Sequence, residues 1–307
     1  MLPVSAQKAL DGWIQAATPV VLKMKGESDK SWPEVRASYV DGLDRLFPAP
    51  EGVEFTQVDL DGVPTMVITP DNLIAGRTLF YIHGGGYVHG GTKAYRGLAG
   101  NYARLLRARV YVPDYRQAPE HAFPIPVEDT FTAYRSLLKT GVDPRSLAIS
   151  GDSAGGAMVV TIMRIARDAN IPLPAAAVAI SPWADLTHSG DSARVRNGID
   201  PLCSTEFLNQ LAGIFLAGEL PTNPDASPIF ADVRGLAPTL IQIGENEVML
   251  SGAIRLASHL GENRVRTSLE VWPAMFHVWH LFAGRLPEAD QALRNAVRFL
   301  DDALLSE

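Results

Sequence analysis

The sequence predicts an α/β protein in which a mostly parallel β-sheet is covered by helices on both faces. Short apolar runs of strand length alternate with segments of helical length over most of the chain. This alternation is typical of parallel sheets, whose strands are joined by crossover helices. Two glycine-rich strings, at 83–87 and 151–156, each follow an apolar run. They are therefore expected beyond the carboxyl ends of strands, where such sheets bind ligands.

The composition is that of a globular protein. The chain has 307 residues, 47% of them hydrophobic, enough for one large α/β domain with an appended region or for two small domains. The formal net charge is −7 without runs of like charge, so we expect no nucleic acid and no anionic membrane as partner. Cys203 is the single cysteine, so no intrachain disulfide can form.

The N-terminal residues carry no basic segment followed by an apolar run, so we expect no signal peptide. No stretch approaches the roughly 18 apolar residues that a membrane-spanning helix needs. The resulting expectation is a soluble cytoplasmic protein.

Residues 5–46 are predicted to be helical. Apolar residues recur near helical spacing from Ala9 to Val21. Ser31, followed by Pro33 and Glu34, has the pattern of a helix start, with serine before the helix and proline just inside it.

Eight later runs are predicted as strands, namely 53–60, 63–69, 79–82, 110–112, 147–150, 177–180, 239–243 and 268–272. Asp61-Gly62 between the first two is a strong hairpin signal. The segment from about Ser189 to Pro221 is helical in pattern but has no strand partner. It is predicted to be either a lid over the site, together with the N-terminal helices, or a surface insertion.

Ser153 is the candidate nucleophile, because it is the serine of a G-x-S-x-G turn between an apolar strand and a helix from about Ala154. The small residues Gly151, Gly155 and Gly156 allow the sharp turn, since larger side chains would clash with the crossing strand and helix. The following helix is apolar around most of its surface, so it should be buried.

The string His83-Gly84-Gly85-Gly86-Tyr87 is the candidate oxyanion hole. Acyl transfer passes through an oxyanion that preorganised N–H donors stabilise. We predict that the backbone N–H groups of Gly84, Gly85 and Ala154 supply them and that His83 orders the loop.

A serine hydroxyl needs a base, and the triad that accompanies a G-x-S-x-G turn follows in the order serine, acid, histidine. His277 and His280 follow the last predicted strand, and His277 is preferred because it lies closer to the strand end. The acid should follow the preceding strand, where Glu245 and Glu247 compete. Glu247 is preferred, and Asp185, one strand too early, is expected to be structural.

Combined, these motifs resemble the hormone-sensitive-lipase family of bacterial esterases within the α/β-hydrolase superfamily. The resemblance rests on HGGGY at 83–87, GDSAGG at 151–156 and the string 114–120, which is similar to the family's DYRLAPE. It continues through Ser181-Pro182-Trp183 and 273–277 and covers nearly all of residues 50–307.

The resemblance implies an eight-stranded α/β-hydrolase core (49–188 and 222–307), N-terminal cap helices (1–48) and a cap insertion (189–221). It implies carboxylester hydrolysis of short acyl chains without a cofactor or metal, and often a homodimer formed through the last strand. Two positions depart from the family pattern. The family's acid is commonly the aspartate of a D-P-L string, where this chain has Glu247, and Ala274 stands where the family often has glycine.

We therefore predict a carboxylesterase that acts on a small-molecule ester through Ser153, Glu247 and His277. An amidase, lactonase or arylformamidase would use the same triad, and a non-catalytic small-molecule receptor on this scaffold would lack the histidine that is present here. Aromatic and aliphatic residues at such spacings are more often core than pocket. The candidate pocket residues are Tyr87, Asp152, Trp183, Phe207, Leu208, Leu211, Phe215, Val248, Met249 and Trp279.

Overall fold

Eight strands pair into one sheet in the computed structural model, which describes residues 2–304. The strands are β1 (Val53–Leu60), β2 (Val63–Pro70), β3 (Thr78–Ile82), β4 (Arg109–Pro113), β5 (Leu147–Asp152), β6 (Ala176–Ile180), β7 (Thr239–Gly244) and β8 (Thr267–Trp272). Their order across the sheet is β1-β2-β4-β3-β5-β6-β7-β8. The β1–β2 and β2–β4 pairs are antiparallel, and all other pairs are parallel.

The hairpin between β1 and β2 turns at Asp61-Gly62, as its sequence predicts. Both residues have positive φ, 54° and 91°, the conformation of a type I′ turn. Leu60 pairs with Val63 directly across the turn. The two-residue turn therefore sets the register of the whole hairpin.

Nine α-helices lie in the described part of the chain. They are α1 (Val4–Met24), α2 (Trp32–Leu46), α3 (Arg96–Leu106), α4 (Ile125–Lys139), α5 (Ala154–Asp168), α6 (Ser192–Val195), α7 (Thr205–Leu216), α8 (Leu250–Glu262) and α9 (Pro287–Asp301). None of those within residues 2–304 combines the length and apolar character needed to span a bilayer.

Helix α2 begins where the sequence predicts. The Ser31 hydroxyl accepts from the Glu34 N–H, and the Glu34 carboxylate accepts from the Ser31 N–H at 2.8 Å. This reciprocal capping box satisfies two donors that a helix start would otherwise leave unpaired.

The sheet separates two hydrophobic layers, as expected for a sheet covered on both faces. Along β3, Phe80 and Ile82 join the layer that contains α4, α5 and α8, whereas Leu79 and Tyr81 join the layer that contains α3 and α9. This follows from the alternation of side chains along a strand. Helix α5 is buried from Ala154 to Met163, which confirms its predicted burial.

The segment between β6 and β7 contains α6 and α7 and adds no strand to the sheet. The parallel strands β3, β4, β5, β6, β7 and β8 end at one edge of the sheet, because strands that run in one direction share their carboxyl edge. The loops that carry the candidate residues leave the sheet along this edge.

Candidate active site

Ser153 lies between the end of β5 and the start of α5 with a strained backbone. Its φ of 55° and ψ of −119° are far from the regions that L-residues prefer. The neighbouring β6 segment holds this conformation, because the Ser153 N–H donates to the Ile180 carbonyl and the Ser153 carbonyl accepts from the Trp183 N–H, each at 2.9 Å. The side chain is 6% exposed.

Close approach of the backbone requires glycine both in this turn and in the loop that faces it. A Cβ on Gly155 would stand 2.1 Å from the Ile82 carbonyl oxygen. A Cβ on Gly84 would stand 3.0 Å from the Ser153 Cβ and 2.3 Å from a carboxylate oxygen of Asp152. The two glycine-rich strings therefore pack against each other through surfaces that admit no side chain.

His277 is the histidine that reaches the serine. Its Nε2 lies 3.0 Å from the Ser153 Oγ, and its Nδ1 lies 2.8 Å from the Glu247 Oε2. With Nδ1 protonated, the ring donates to the carboxylate and accepts from the serine hydroxyl. His280 is also buried, but its Nε2 lies 2.9 Å from the Gln242 Oε1, away from Ser153.

Glu247 is fully buried and its carboxylate is saturated with donors. Oε1 accepts from the Ser181 hydroxyl and from the Gly244 N–H, both at 2.7 Å, and Oε2 faces His277. Its rival Glu245 accepts from the Ala274 N–H at 2.9 Å, and so holds the turn that precedes His277. Asp185 pairs with Arg255 at 2.8 Å.

Backbone strain is concentrated around these side chains. Besides Ser153, the non-glycine residues Ser181 (φ 43°), Ala274 (φ 60°) and Val278 (φ 50°) have positive φ. Ser181 supports Glu247, and its hydroxyl also accepts from the Val278 N–H at 3.2 Å. Ala274 occupies a position whose φ suits glycine, as the resemblance implied. Strain of this kind clusters at functional sites.

The electrostatic environment raises the pKa of His277. Burial lowers this pKa, but the hydrogen bond that His277 donates to Glu247 and the negative charge of that carboxylate outweigh burial, so the pKa lies above its usual 6.5. The site therefore stabilises the protonated ring, which is the form that appears when the serine gives up its proton.

Asp152 organises the loop opposite the serine. Its buried carboxylate accepts from the Tyr81 hydroxyl at 2.8 Å, the Tyr95 hydroxyl at 2.9 Å and the Gly84 N–H at 3.1 Å. Burial raises the pKa of Asp152 to about 6, although the two tyrosine hydrogen bonds act against burial. At pH above 6 the carboxylate is therefore charged and holds the Gly84 N–H.

The contact with Asp152 changes the expected set of oxyanion donors. The Gly84 N–H already has an acceptor, whereas Gly85 and Gly86 line the cavity beside Ser153. Within residues 2–304, neither of their N–H groups, nor that of Ala154, has a hydrogen-bond acceptor. The sequence did not single out Gly86, because three consecutive glycines look alike until the path of the loop is known.

His83 stabilises the same loop without facing the cavity. Its ring stacks on Tyr115 with centroids 4.3 Å apart, and its Nδ1 lies 2.8 Å from the Gly84 carbonyl oxygen. Burial lowers the pKa of His83, so the ring is neutral at physiological pH. These contacts agree with its expected role in ordering the loop.

A cavity of about 60 Å³ opens onto Ser153. Five predicted pocket residues lie in its wall, namely Asp152, Trp183, Phe207, Leu208 and Leu211. Five others do not, namely Tyr87, Phe215, Val248, Met249 and Trp279.

The pocket prediction does not hold for these five residues because their side chains belong to packed neighbours of the cavity. Tyr87 stacks on Phe215 with ring centroids 3.7 Å apart, and Trp279 is fully buried. Val248 and Met249 border a separate cavity of about 10 Å³ on which Trp183 also lies.

The sequence predicts the N-terminal helices and the segment 189–221 as a candidate lid, but it does not identify five of the residues by which they line the cavity. Trp13 and Ala17 of α1, Tyr39 of α2, and Leu202 and Cys203 before α7 all line the cavity. The Trp13 indole N–H donates to the Tyr39 hydroxyl at 3.0 Å, which joins the two helices at the cavity. No local pattern indicates which face of a helix meets a site formed more than a hundred residues later.

Taken together, the geometry can activate a serine hydroxyl for attack on a carbonyl group. The imidazole can take the hydroxyl proton while the buried carboxylate stabilises the resulting imidazolium. Three free N–H groups beside Ser153 can bind the negative oxygen of a tetrahedral intermediate.

Known proteins are similar to this chain over most of its length. A family model described as alpha/beta hydrolase fold matches residues 79–281. An acetyl-hydrolase from Streptomyces hygroscopicus is 42% identical over 228 residues, which are 74% of this chain and 76% of the relative.

Solved structures are similar to this chain over nearly its whole length. An esterase from the bacterial hormone-sensitive lipase family matches with a TM-score of 0.92 at 35% identity, covering 99% of this chain and 100% of that one. EstE5, in a crystal soaked with p-nitrophenyl butyrate, matches with a TM-score of 0.87 at 36% identity, covering 98% and 99%. With its eight-stranded sheet and its match to the family model, this chain belongs to the alpha/beta hydrolase fold family and is a carboxylic ester hydrolase of the hormone-sensitive-lipase group.

Proposed function

We propose that this carboxylesterase hydrolyses short-chain acyl esters through Ser153, His277 and Glu247, with an acyl-enzyme intermediate. The observation that carries the proposal is the unbroken chain of contacts, 3.0 Å from the Ser153 Oγ to the His277 Nε2 and 2.8 Å from the His277 Nδ1 to Glu247. Nucleophile, base and orienting acid within hydrogen-bond reach are what serine acyl transfer needs.

In the first step, the Ser153 Oγ attacks the ester carbonyl and its proton passes to the His277 Nε2. The carbonyl oxygen becomes negative and accepts hydrogen bonds from the N–H groups of Gly85, Gly86 and Ala154. The Gly84 N–H stays with Asp152, which keeps the glycine loop in place for the reaction. His277 then gives its proton to the leaving alcohol oxygen, and the bond from carbon to that oxygen breaks.

In the second step, water attacks the acyl carbon while His277 takes one of its protons. The same donors hold the new oxyanion. When the bond to the Ser153 Oγ breaks, His277 returns the proton to the serine, and the carboxylic acid leaves. Neither step uses a cofactor or a metal.

The test is Ser153→Ala assayed with p-nitrophenyl butyrate. Turnover should fall by at least about 10⁴-fold, because removal of the nucleophile of a triad has effects of that size or more. Ser150→Ala is the matched control, since it removes a buried hydroxyl from the same strand whose partner is Tyr102. Comparable turnover in Ser153→Ala and the native protein would refute the proposal.

The preference for short acyl chains is supported by the volume beside Ser153. About 60 Å³ corresponds to roughly four to six water sites, since each needs about 10–15 Å³. We expect kcat/KM for p-nitrophenyl acetate and butyrate to exceed that for the octanoate by at least about tenfold. Equal values across the series would contradict a short-chain preference.

We also propose that α1, α2 and the segment 189–221 form a cap over Ser153. The support is that both parts of the chain contribute to the cavity wall, the first through Trp13 and Tyr39 and the second through Leu208 and Leu211.

A homodimer formed through β8 is proposed as the assembly. This strand is an edge of the sheet, and Leu269 (38%) and Val271 (43%) are exposed on it. An edge strand with exposed apolar side chains and unpaired backbone groups is suited to pairing with a second copy.

A further inference from the structure

A second cavity adjoins the one beside Ser153. This outer cavity has a volume of about 350 Å³ and lies between α1 and the segment 200–210. It shares Ala17, Leu202, Cys203 and Phe207 with the wall of the inner cavity. Because the inner cavity holds only about 60 Å³, any larger part of a bound substrate has this space available to it.

Asp200 in the wall of the outer cavity has an unpaired buried oxygen. The residue is 6% exposed, and its Oδ1 accepts from the N–H groups of Leu202 at 3.0 Å and Cys203 at 3.2 Å. Its Oδ2 is buried and has no hydrogen-bond partner within residues 2–304. Leaving a buried carboxylate oxygen without a donor is costly, so an atom in this state usually serves a ligand or a water.

Negative charge prevails in this wall. Besides Asp200, the charged side chains of the outer cavity are Lys25 and Glu206, which are exposed and opposite in sign. Their fields are screened by solvent and largely cancel. Burial raises the pKa of Asp200 to about 6, so the carboxylate is charged at pH 8. Among residues 2–304, no cationic side chain forms an ion pair with the buried Asp200 carboxylate, and its Oδ2 has no donor.

We propose that the outer cavity binds an ammonium group of the ester substrate, and that Asp200 recognises it by accepting its N–H hydrogen bond. The inference rests on the ester hydrolysis proposed above and specifies the substrate class. The proposed substrates share a protonated amine that a short chain separates from the ester group. The amine lies on either the alcohol half or the acyl half of the ester.

Two pairs of isosteric esters test the proposal and distinguish the two halves. On the alcohol side, 2-(dimethylamino)ethyl acetate is compared with 3-methylbutyl acetate. On the acyl side, methyl 3-(dimethylamino)propanoate is compared with methyl 4-methylpentanoate. Within each pair a protonated nitrogen replaces a CH group at neutral pH. Acid release in a pH-stat gives kcat/KM for each ester.

The decisive quantity is the ratio of kcat/KM for the cationic ester to that for its neutral isostere. In Asp200→Asn this ratio should fall by about tenfold or more in one of the pairs, the effect expected for a hydrogen bond to a charged group. The asparagine carbonyl can still accept from Leu202 and Cys203, so the turn around residue 200 is retained. The matched control is Asp191→Asn, the same charge change at a side chain that is 90% exposed and outside the cavity.

A ratio that stays within twofold of the native value in both pairs overturns the proposal. Equal losses on both members of each pair also overturn it, because they indicate a structural role. Should Asp200→Asn not fold, competitive inhibition of the native enzyme decides. Dimethylaminoethanol should then bind at least about tenfold more tightly than 3-methylbutanol, or 3-(dimethylamino)propanoate at least about tenfold more tightly than 4-methylpentanoate, and equal binding within both pairs refutes the proposal. Hydrolysis of none of the four esters, nor of p-nitrophenyl acetate, would instead count against the proposed function itself.

Discussion

Glu247 has the geometry of a triad acid although the related pattern more often has aspartate. Its longer side chain still reaches the His277 Nδ1 at 2.8 Å because the Ser181 hydroxyl and the Gly244 N–H hold the other carboxylate oxygen. Three donors on one fully buried carboxylate fix its position. The longer side chain of glutamate therefore places a carboxylate oxygen within hydrogen-bond distance of His277.

The acidic limb of the pH profile should lie above pH 6.5. A general base works only when neutral, so activity falls as pH drops through the His277 pKa, which Glu247 raises above its usual value. Glu247→Gln removes the negative charge, so the limb should move to lower pH and kcat should fall by about 10²–10⁴-fold. The measurement is kcat/KM between pH 5 and 9.

Two controls make this profile specific. Asp152 also takes up a proton in this range, because its pKa is raised to about 6. The presence of an acidic limb therefore does not identify His277, whereas a shift of the limb in Glu247→Gln does. Glu245→Gln removes a nearby carboxylate whose main contact is the Ala274 N–H, and its limb should stay in place. A limb that does not move in Glu247→Gln would rule out the assignment of the acid.

At the scale of elements, α1 both packs on the core and closes the cavity. Trp13 is 6% exposed, lies against Phe47 and Phe282, and donates its indole N–H to Tyr39 of α2. The same side chain lines the space beside Ser153. One residue of an N-terminal helix therefore contributes both to core packing and to the cavity wall.

Trp13→Ala should lower the free energy of unfolding and lengthen the accepted acyl chain. Loss of a buried tryptophan costs about 3–5 kcal/mol, and the volume it leaves extends the cavity. The first effect is measured by urea denaturation and the second by the ratio of kcat/KM for p-nitrophenyl octanoate to that for the acetate. Leu22→Ala on the same helix, where the side chain is 37% exposed and lines neither cavity, should change neither value appreciably. An unchanged ratio in Trp13→Ala would show that Trp13 does not limit chain length.

For the whole molecule, the sheet leaves two edges, β1 and β8. Only β8 lies beside the strand that leads to Glu247 and immediately before the loop that carries His277. Contacts made by a second copy at β8 would therefore stabilise the loops of the proposed triad without contributing residues to it.

Light scattering after size-exclusion chromatography should give twice the chain mass of 33.2 kDa. Leu269→Lys together with Val271→Lys should give the monomer mass, because charges on an edge strand prevent pairing. Val58→Lys, a 39% exposed position on the opposite edge strand, is the control and should leave the mass unchanged. A monomer in the native protein would contradict the proposed assembly.

Local patterns predicted most of the fold and the polar centre of the site. Strand runs such as 53–60 and 147–150 begin where β1 and β5 begin, because alternation and turn chemistry are short-range properties. Ser153 is identified by the glycines around it, since close backbone approach leaves no alternative at Gly84 or Gly155. The loops of Glu247 and His277 follow from their places after β7 and β8, because parallel strands bring their carboxyl ends together. Position alone left Glu245 and His280 as rivals, and only the contacts of the folded chain separate them from Glu247 and His277.

Tertiary structure decided everything that depends on which distant segments meet. The N–H group of Gly84, and not that of Gly86, donates to Asp152. Tyr87 and Phe215 stack on each other outside the cavity wall, and Trp13 lines the cavity in their place. The sequence by itself thus determined the sheet, the turn at Ser153 and the candidate triad, because these depend on spacing along single strands and loops. The shape of the cavity and the unpaired oxygen of Asp200 depend on packing between α1, α2 and the segment 189–221, which no local pattern encodes.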